Sequence, residues 1–191
     1  MKELFIPVKI DNLDKIQEEL KQMLGSDYQS KGKHAFNITL NTVKSSCPCL
    51  STWLLPKLKS YPRLLRFYIT PPKSFLGVHI DGRKNMPSPF GLNIPVFGCE
   101  NTYHIFYNCD QDNIEDGDDE RYLEGAVPKK IDMLTELERK EITAPCFVRN
   151  DIMHSVENNQ DTWRVMFTIR WQIHSTFGKV INDVFDIEKC L

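Results

Sequence analysis

His79 and Asp81 stand two positions apart in FLGVHIDGRKN, residues 75–85, a segment that reads as a β-strand ending at a glycine. Side chains alternate along a strand, so the imidazole and the carboxylate project to one face and Ile80 to the other. One neutral nitrogen and one anionic oxygen, side by side, can share a single divalent metal. Gly82 permits a turn directly afterwards. A third ligand is still needed, and H-x-D is a short pattern that recurs by chance. On these two residues alone, a histidine paired with a nearby carboxylate at a strand end is the better account.

RNDIMHSVENNQDTWRVMFTIRW, residues 149–171, adds a second constellation. His154 follows an Asn-Asp turn signal, and Arg164 lies ten residues further on, in the next strand. That strand divides cleanly. Trp163, Val165, Phe167, Ile169 and Trp171 make one apolar face; Arg164, Met166, Thr168 and Arg170 make the other. An apolar outer face against helices and a mixed inner face suit a barrel with a polar interior. An arginine buried there costs several kcal/mol unless an anion meets it. A dicarboxylate ligand would supply that anion, and so would an internal Asp or Glu.

The elements that must position these residues fall into two parts. KELFIPVKI reads as an opening strand, and Asp11 or Asn12 can cap a helix through NLDKIQEELKQML, which Gly25 stops. A second short helix includes STWLLPKLKSY, limited by Pro56. After Pro62 come RLLRFYIT, SFLGVHID, FGLNIPVFG, NTYHIFYN, PCFVRND and TWRVMFTIRWQI, all strand-like and separated by Pro, Gly, Asn and Asp. IDMLTELERKE, 131–141, reads as one helical interruption or as a connection between strands. The expectation is one domain over residues 1–191, mostly β with N-terminal helices. Residues 1–62 form its support and 63–175 its sandwich or barrel core.

Bulk properties exclude little and encourage little. The chain has 191 residues, 41% hydrophobic and 26% charged, with a formal net charge of −2. That balance carries no electrostatic footprint for nucleic acid or an anionic membrane. The N-terminus lacks the long apolar centre of a signal peptide, and no run is long enough to cross a bilayer. The six cysteines are therefore read as reduced thiols in a cytoplasmic setting. Cys47-Pro-Cys49 has no C-x-x-C partner for a metal site. DQDNIEDGDDE, 110–120, fails as a calcium loop because Glu115 falls where glycine is required, and reads as a solvated acidic loop.

H-x-D, a long gap, then a histidine followed ten residues later by a strand arginine resembles the 2-oxoglutarate- and iron(II)-dependent oxygenases. GLNIPVFGCENTYHIFY after the H-x-D is similar to the aspartyl/asparaginyl hydroxylase-like branch and to small phage or marine oxygenases. The resemblance spans about residues 63–173. It implies a double-stranded β-helix, a jelly-roll of cupin-like form. His79, Asp81 and His154 would then be the iron ligands, leaving three coordination positions open. Fe(II) and 2-oxoglutarate are the implied cofactor and cosubstrate, with ascorbate as an optional auxiliary. Arg164 would hold the distal carboxylate of 2-oxoglutarate through its planar fork. Arg170 shares its strand parity and competes for that role, or contacts substrate, or closes a structural ion pair. Asn93 and Tyr68 match positions where a cosubstrate-binding polar group is expected. The implied reaction is hydroxylation of a small molecule or peptide, with formation of succinate and CO2; demethylation begins the same way. Members of the aspartyl-hydroxylase branch can lack the carboxylate ligand, whereas Asp81 is present here.

Two other readings stand beside this one. A cupin-like metalloenzyme would use the same three ligands without Arg164. A non-catalytic β-barrel module would use these polar groups for ligand recognition or folding. His34, His104 and His174 are read as ordinary core or surface histidines. Neither composition nor charge selects a substrate or an oligomeric state.

Overall fold

Alternation along residues 163–171 sets the layering. The computed structural model describes residues 3–29, 35–83, 86–87, 90–117, 125–171 and 177–190. Its strands are β1 (Phe5–Pro7), β2 (Ala35–Ile38), β3 (Leu64–Thr70), β4 (Ser74–Arg83), β5 (Met86–Pro87), β6 (Phe90–Phe97) and β7 (Thr102–Asn108). They continue as β8 (Ile114–Asp116), β9 (Gly125–Pro128), β10 (Thr135–Glu141), β11 (Cys146–Arg149), β12 (His154–Asn158) and β13 (Arg164–Arg170). The helices are α1 (Leu13–Leu24), α2 (Leu40–Ser46), α3 (Pro48–Leu54) and α4 (Phe177–Val184). None of the described helices is long and apolar enough to cross a membrane.

Among the described residues every strand pairing is antiparallel. One sheet runs β1-β11-β6-β13-β3-β2, and the other runs β10-β7-β12-β4-β9-β8 with β5 beside β4. In the first sheet Val165, Phe167 and Ile169 of β13 join Leu65, Phe67 and Ile69 of β3 and Leu92 and Ile94 of β6. Ile16 and Leu20 of α1, Leu50 and Leu54 of α3 and Ile181 of α4 pack against that apolar face. Period-two residues on the strands meet period-3.6 residues on the helices, each burying the other's stripe. Met166 points the opposite way, into a second cluster with Phe5, Phe106, Cys146 and Val148 between the sheets. The polar residues that share its parity are thereby directed into the interior.

Several local expectations change. Asn12 occupies the N-cap of α1 with φ 57°, yet its side chain makes no capping bond. Thr39 does cap: its hydroxyl accepts from the Thr42 amide at the start of α2. The helix read around STWLLPKLKSY ends at Leu54, and Pro56 falls in a 3-10 turn, Leu55–Lys57. Residues 135–141 are neither helix nor plain connection. They form edge strand β10, paired with β7, while 131–133 make a 3-10 turn. The acidic loop is partly built. Asn113 is buried, donates to the Lys130 carbonyl and accepts from the Lys130 amide; residues 118–120 of it lie outside the described residues.

Candidate metal centre

β4 presents His79 and Asp81 to the interior, both buried, while Val78 and Ile80 pack on the opposite face with Ile114, Ala126 and Met153. Gly82, expected to begin a turn, instead lies within the strand at a bulge with φ 88°. A bulge of this kind re-aims the neighbouring side chains without ending the pairing. β12 is the direct neighbour of β4, and His154 pairs with His79, next to a second register shift. The distant third residue is thus brought alongside the first two by one antiparallel ladder.

His79 Nε2 lies 3.7 Å from Asp81 Oδ1, and His154 Nε2 lies 3.8 Å from Asp81 Oδ2. The three donor atoms all fall within 4.8 Å of one another. Nδ1 of His79 is 2.8 Å from the Gly77 carbonyl, and Nδ1 of His154 is 2.8 Å from the Ile152 carbonyl. A carbonyl can only accept, so each Nδ1 carries the proton and each Nε2 is the lone-pair nitrogen facing Asp81. Second partners of this kind set the tautomer that a metal-binding histidine needs. Burial, and then His79, hold the His154 imidazole down at about 4, so it stays neutral near neutral pH. The donor set therefore fits a divalent cation with nitrogen and oxygen preferences.

The two inward arginines of β13 have different surroundings. Arg170 Nη2 reaches Asp81 Oδ2 at 2.7 Å, and its guanidinium lies 4.9 Å over the Tyr68 ring. Burial works to raise the Asp81 carboxyl, but Arg170, His154 and His79 outweigh it and hold the group below the usual range. Arg164 is 5% exposed, and among the described residues its hydrogen-bond partner is the Thr70 hydroxyl, at 3.4 Å. No carboxylate pairs with it among the described residues. Its other neighbours include the thiols of Cys99 and Cys146, which burial pushes up, Cys146 to about 12.

Asn93 and Tyr68 line the same interior. The Asn93 carbonyl oxygen accepts from the Thr168 hydroxyl at 2.8 Å. The Tyr68 hydroxyl lies near Arg66 and Arg170, and burial raises its pKa. His104 on β7, read as an ordinary core histidine, stacks on the His154 ring at 4.8 Å between centroids. Its strand parity was the available signal, since Thr102, His104 and Phe106 alternate and all three are buried. His34 and His174 lie outside the described residues.

No family model matches the sequence, and no curated protein matches it. Solved structures do match the fold. SnoK, a non-haem alpha-ketoglutarate-dependent carbocyclase from nogalamycin biosynthesis, superposes with a TM-score of 0.53 at 10% identity, covering 90% of this chain and 80% of its own. EctD from S. alaskensis, solved with 2-oxoglutarate and 5-hydroxyectoine, gives 0.52 at 10% identity, with 90% and 72% covered. The chain shares its fold, a double-stranded β-helix of jelly-roll form, with these structures.

Proposed function

We propose that the chain is an iron(II)- and 2-oxoglutarate-dependent oxygenase acting on a small molecule or peptide. The observation that carries this reading is Arg164: a buried guanidinium without a carboxylate partner among the described residues, on the sheet opposite the one that carries the metal ligands. Leaving a cation so placed costs several kcal/mol, and a dicarboxylate anchored at a neighbouring metal removes that cost. A metalloenzyme without such a cosubstrate has no use for it.

His79, Asp81 and His154 would hold the metal through two imidazole nitrogens and one carboxylate. Arg170 keeps Asp81 ionised and oriented. Arg164 would meet the distal carboxylate in a charge-assisted contact. Phe5, Phe106, Val148 and Met166 keep water from the inner wall. Bound iron and 2-oxoglutarate supply the oxidation: 2-oxoglutarate, dioxygen and a substrate C–H group yield succinate, CO2 and the hydroxylated product. The protein's part is binding, alignment and exclusion of side reactions.

Anaerobic titration with iron and 2-oxoglutarate tests this directly. The expected result is a weak visible charge-transfer band that requires both components. Metal uptake without the band would favour a cupin-like enzyme, and no uptake would leave a binding module. Asp81→Ala should weaken iron binding, and Arg164→Ala should mainly weaken 2-oxoglutarate binding. Succinate formation at the native rate in both variants would overturn the assignment.

A further inference from the structure

His104 has no role so far, yet its position is unusual. The ring is 5% exposed, stacked at 21° on His154, 4.9 Å from the Phe106 ring and edge-on to Phe5. Neither of its nitrogens has a hydrogen-bond partner among the described residues. Buried side-chain nitrogens almost always have one, so an orphaned imidazole marks a place where something binds. Phenylalanine would fill the same space between Phe5, Phe106 and His154 at no polar cost. The nitrogen is therefore the informative feature.

The packing around the ring points to the partner. Phe5 and Phe106, which flank it, belong to the between-sheet cluster that also holds Met166, and Arg164 lies two residues from Met166 on the same face of β13. The ring and the buried guanidinium therefore border one interior from opposite sheets. An imidazole always offers an N–H, and a carboxylate can only accept.

We propose that His104 donates a hydrogen bond to the distal carboxylate of 2-oxoglutarate, beside Arg164. The inference rests on the iron and 2-oxoglutarate reading and assigns a further binding residue within it. Arg164 supplies the charge; His104 fixes the orientation of the carboxylate and discriminates a diacid from a monoacid.

The test is anaerobic calorimetric titration of the iron-loaded full chain with 2-oxoglutarate and with 2-oxopentanoate, which lacks the distal carboxylate. His104→Phe should bind 2-oxoglutarate about tenfold or more weakly while its affinity for 2-oxopentanoate stays within about twofold. His104→Gln, which keeps an N–H, should recover part of the loss. Iron affinity and the unfolding midpoint, measured on the same variants, report on packing against His154. Equal losses for both keto acids in the variants would make His104 a packing residue and overturn the proposal. Unchanged 2-oxoglutarate binding would overturn it as well. If His104→Phe does not fold, the His104→Gln comparison alone decides between these outcomes. A native chain that binds iron but neither keto acid would refute the cosubstrate reading itself, a result distinct from either.

Discussion

Replacing Arg164 by methionine should make the ligand-free protein more stable and remove most of the stabilisation that 2-oxoglutarate adds. The guanidinium is buried with one 3.4 Å contact to the Thr70 hydroxyl as its hydrogen bond, so little favourable interaction is lost with it. What is removed is an unpaired buried charge, and methionine restores most of the volume. Apolar replacement of buried ionic groups is neutral or stabilising by about 1–4 kcal/mol. Allowing for imperfect packing, a gain of about 1–3 kcal/mol is expected. For a chain of this length that is a rise in the midpoint of roughly 3–9 °C. The ligand works in the other direction. At a concentration 100 times its Kd, 2-oxoglutarate stabilises the native chain by about 2.7 kcal/mol. Losing a charge-assisted contact of about 3 kcal/mol weakens binding roughly 150-fold. The same ligand concentration then adds only about 0.3 kcal/mol. Thermal melts of the iron-loaded chain and of Arg164→Met, each with and without 2-oxoglutarate under anaerobic conditions, give all four values. If the variant without ligand melts lower by more than about 1 kcal/mol, Arg164 has an anionic partner inside the protein and the argument fails.

Arg170→Leu should behave oppositely, because it strands the Asp81 carboxylate; a loss of about 3–5 kcal/mol is expected in urea unfolding, with weaker iron binding and partial recovery in Arg170→Lys. Acid should destabilise the metal-free chain early. His154 is held at about 4 in the fold against an ordinary 6.5, so the unfolded chain takes up its proton first. The stability that depends on a neutral His154 is complete above about pH 6.5. It falls by about 1.4 kcal/mol per pH unit down to about pH 4, roughly 3 kcal/mol in all. Urea titrations at pH 7.5, 6 and 5 measure this, and a flat profile would show that His154 is solvated or charged. Gly98→Ala should cost more than about 2 kcal/mol, since Gly98 has φ 62° and an added Cβ would stand 2.1 Å from the Trp163 carbonyl oxygen. The folded fraction should still bind iron with native affinity, because the clash lies at the β6–β7 turn.

What could be read from the sequence was whatever depends on strand parity. The division of β13 into an apolar and a mixed face needs only alternation, and it correctly sends Phe167 to the helices and Met166 to the interior. The pairing of β12 with β4 is a long-range contact, and only resemblance suggested that His154 meets His79 and Asp81. Edge strand β10 escaped because TELERKE is rich in helix formers and exposed along most of its length; its pairing with β7 decides the outcome, not its own propensity. Helix α2 was missed although Thr39 offered a cap. Helix α4 was missed too, and Ile181, Val184 and Phe185 join the helix-side core. The ion pair of Arg170 with Asp81 joins strands of different sheets, which no spacing rule reveals.

The charges facing the proposed site also bear on the order in which it fills. Before either ligand binds, the site holds the Asp81 carboxylate and the guanidiniums of Arg164 and Arg170. A surplus of one positive charge is tolerable only because Arg170 is locked to Asp81. A divalent cation arriving first raises that surplus, which the arginines resist and the three donor atoms must overcome. A dianion arriving first finds Arg164 but no metal to receive its keto acid end. With both bound, each neutralises what the other makes unfavourable, so each raises the other's affinity by the same factor, as linkage requires. On the proposed reading, iron affinity should therefore rise when 2-oxoglutarate is present, and this dependence should shrink in Arg164→Met; anaerobic iron titrations of the native chain that give the same Kd with and without 2-oxoglutarate would refute the coupling.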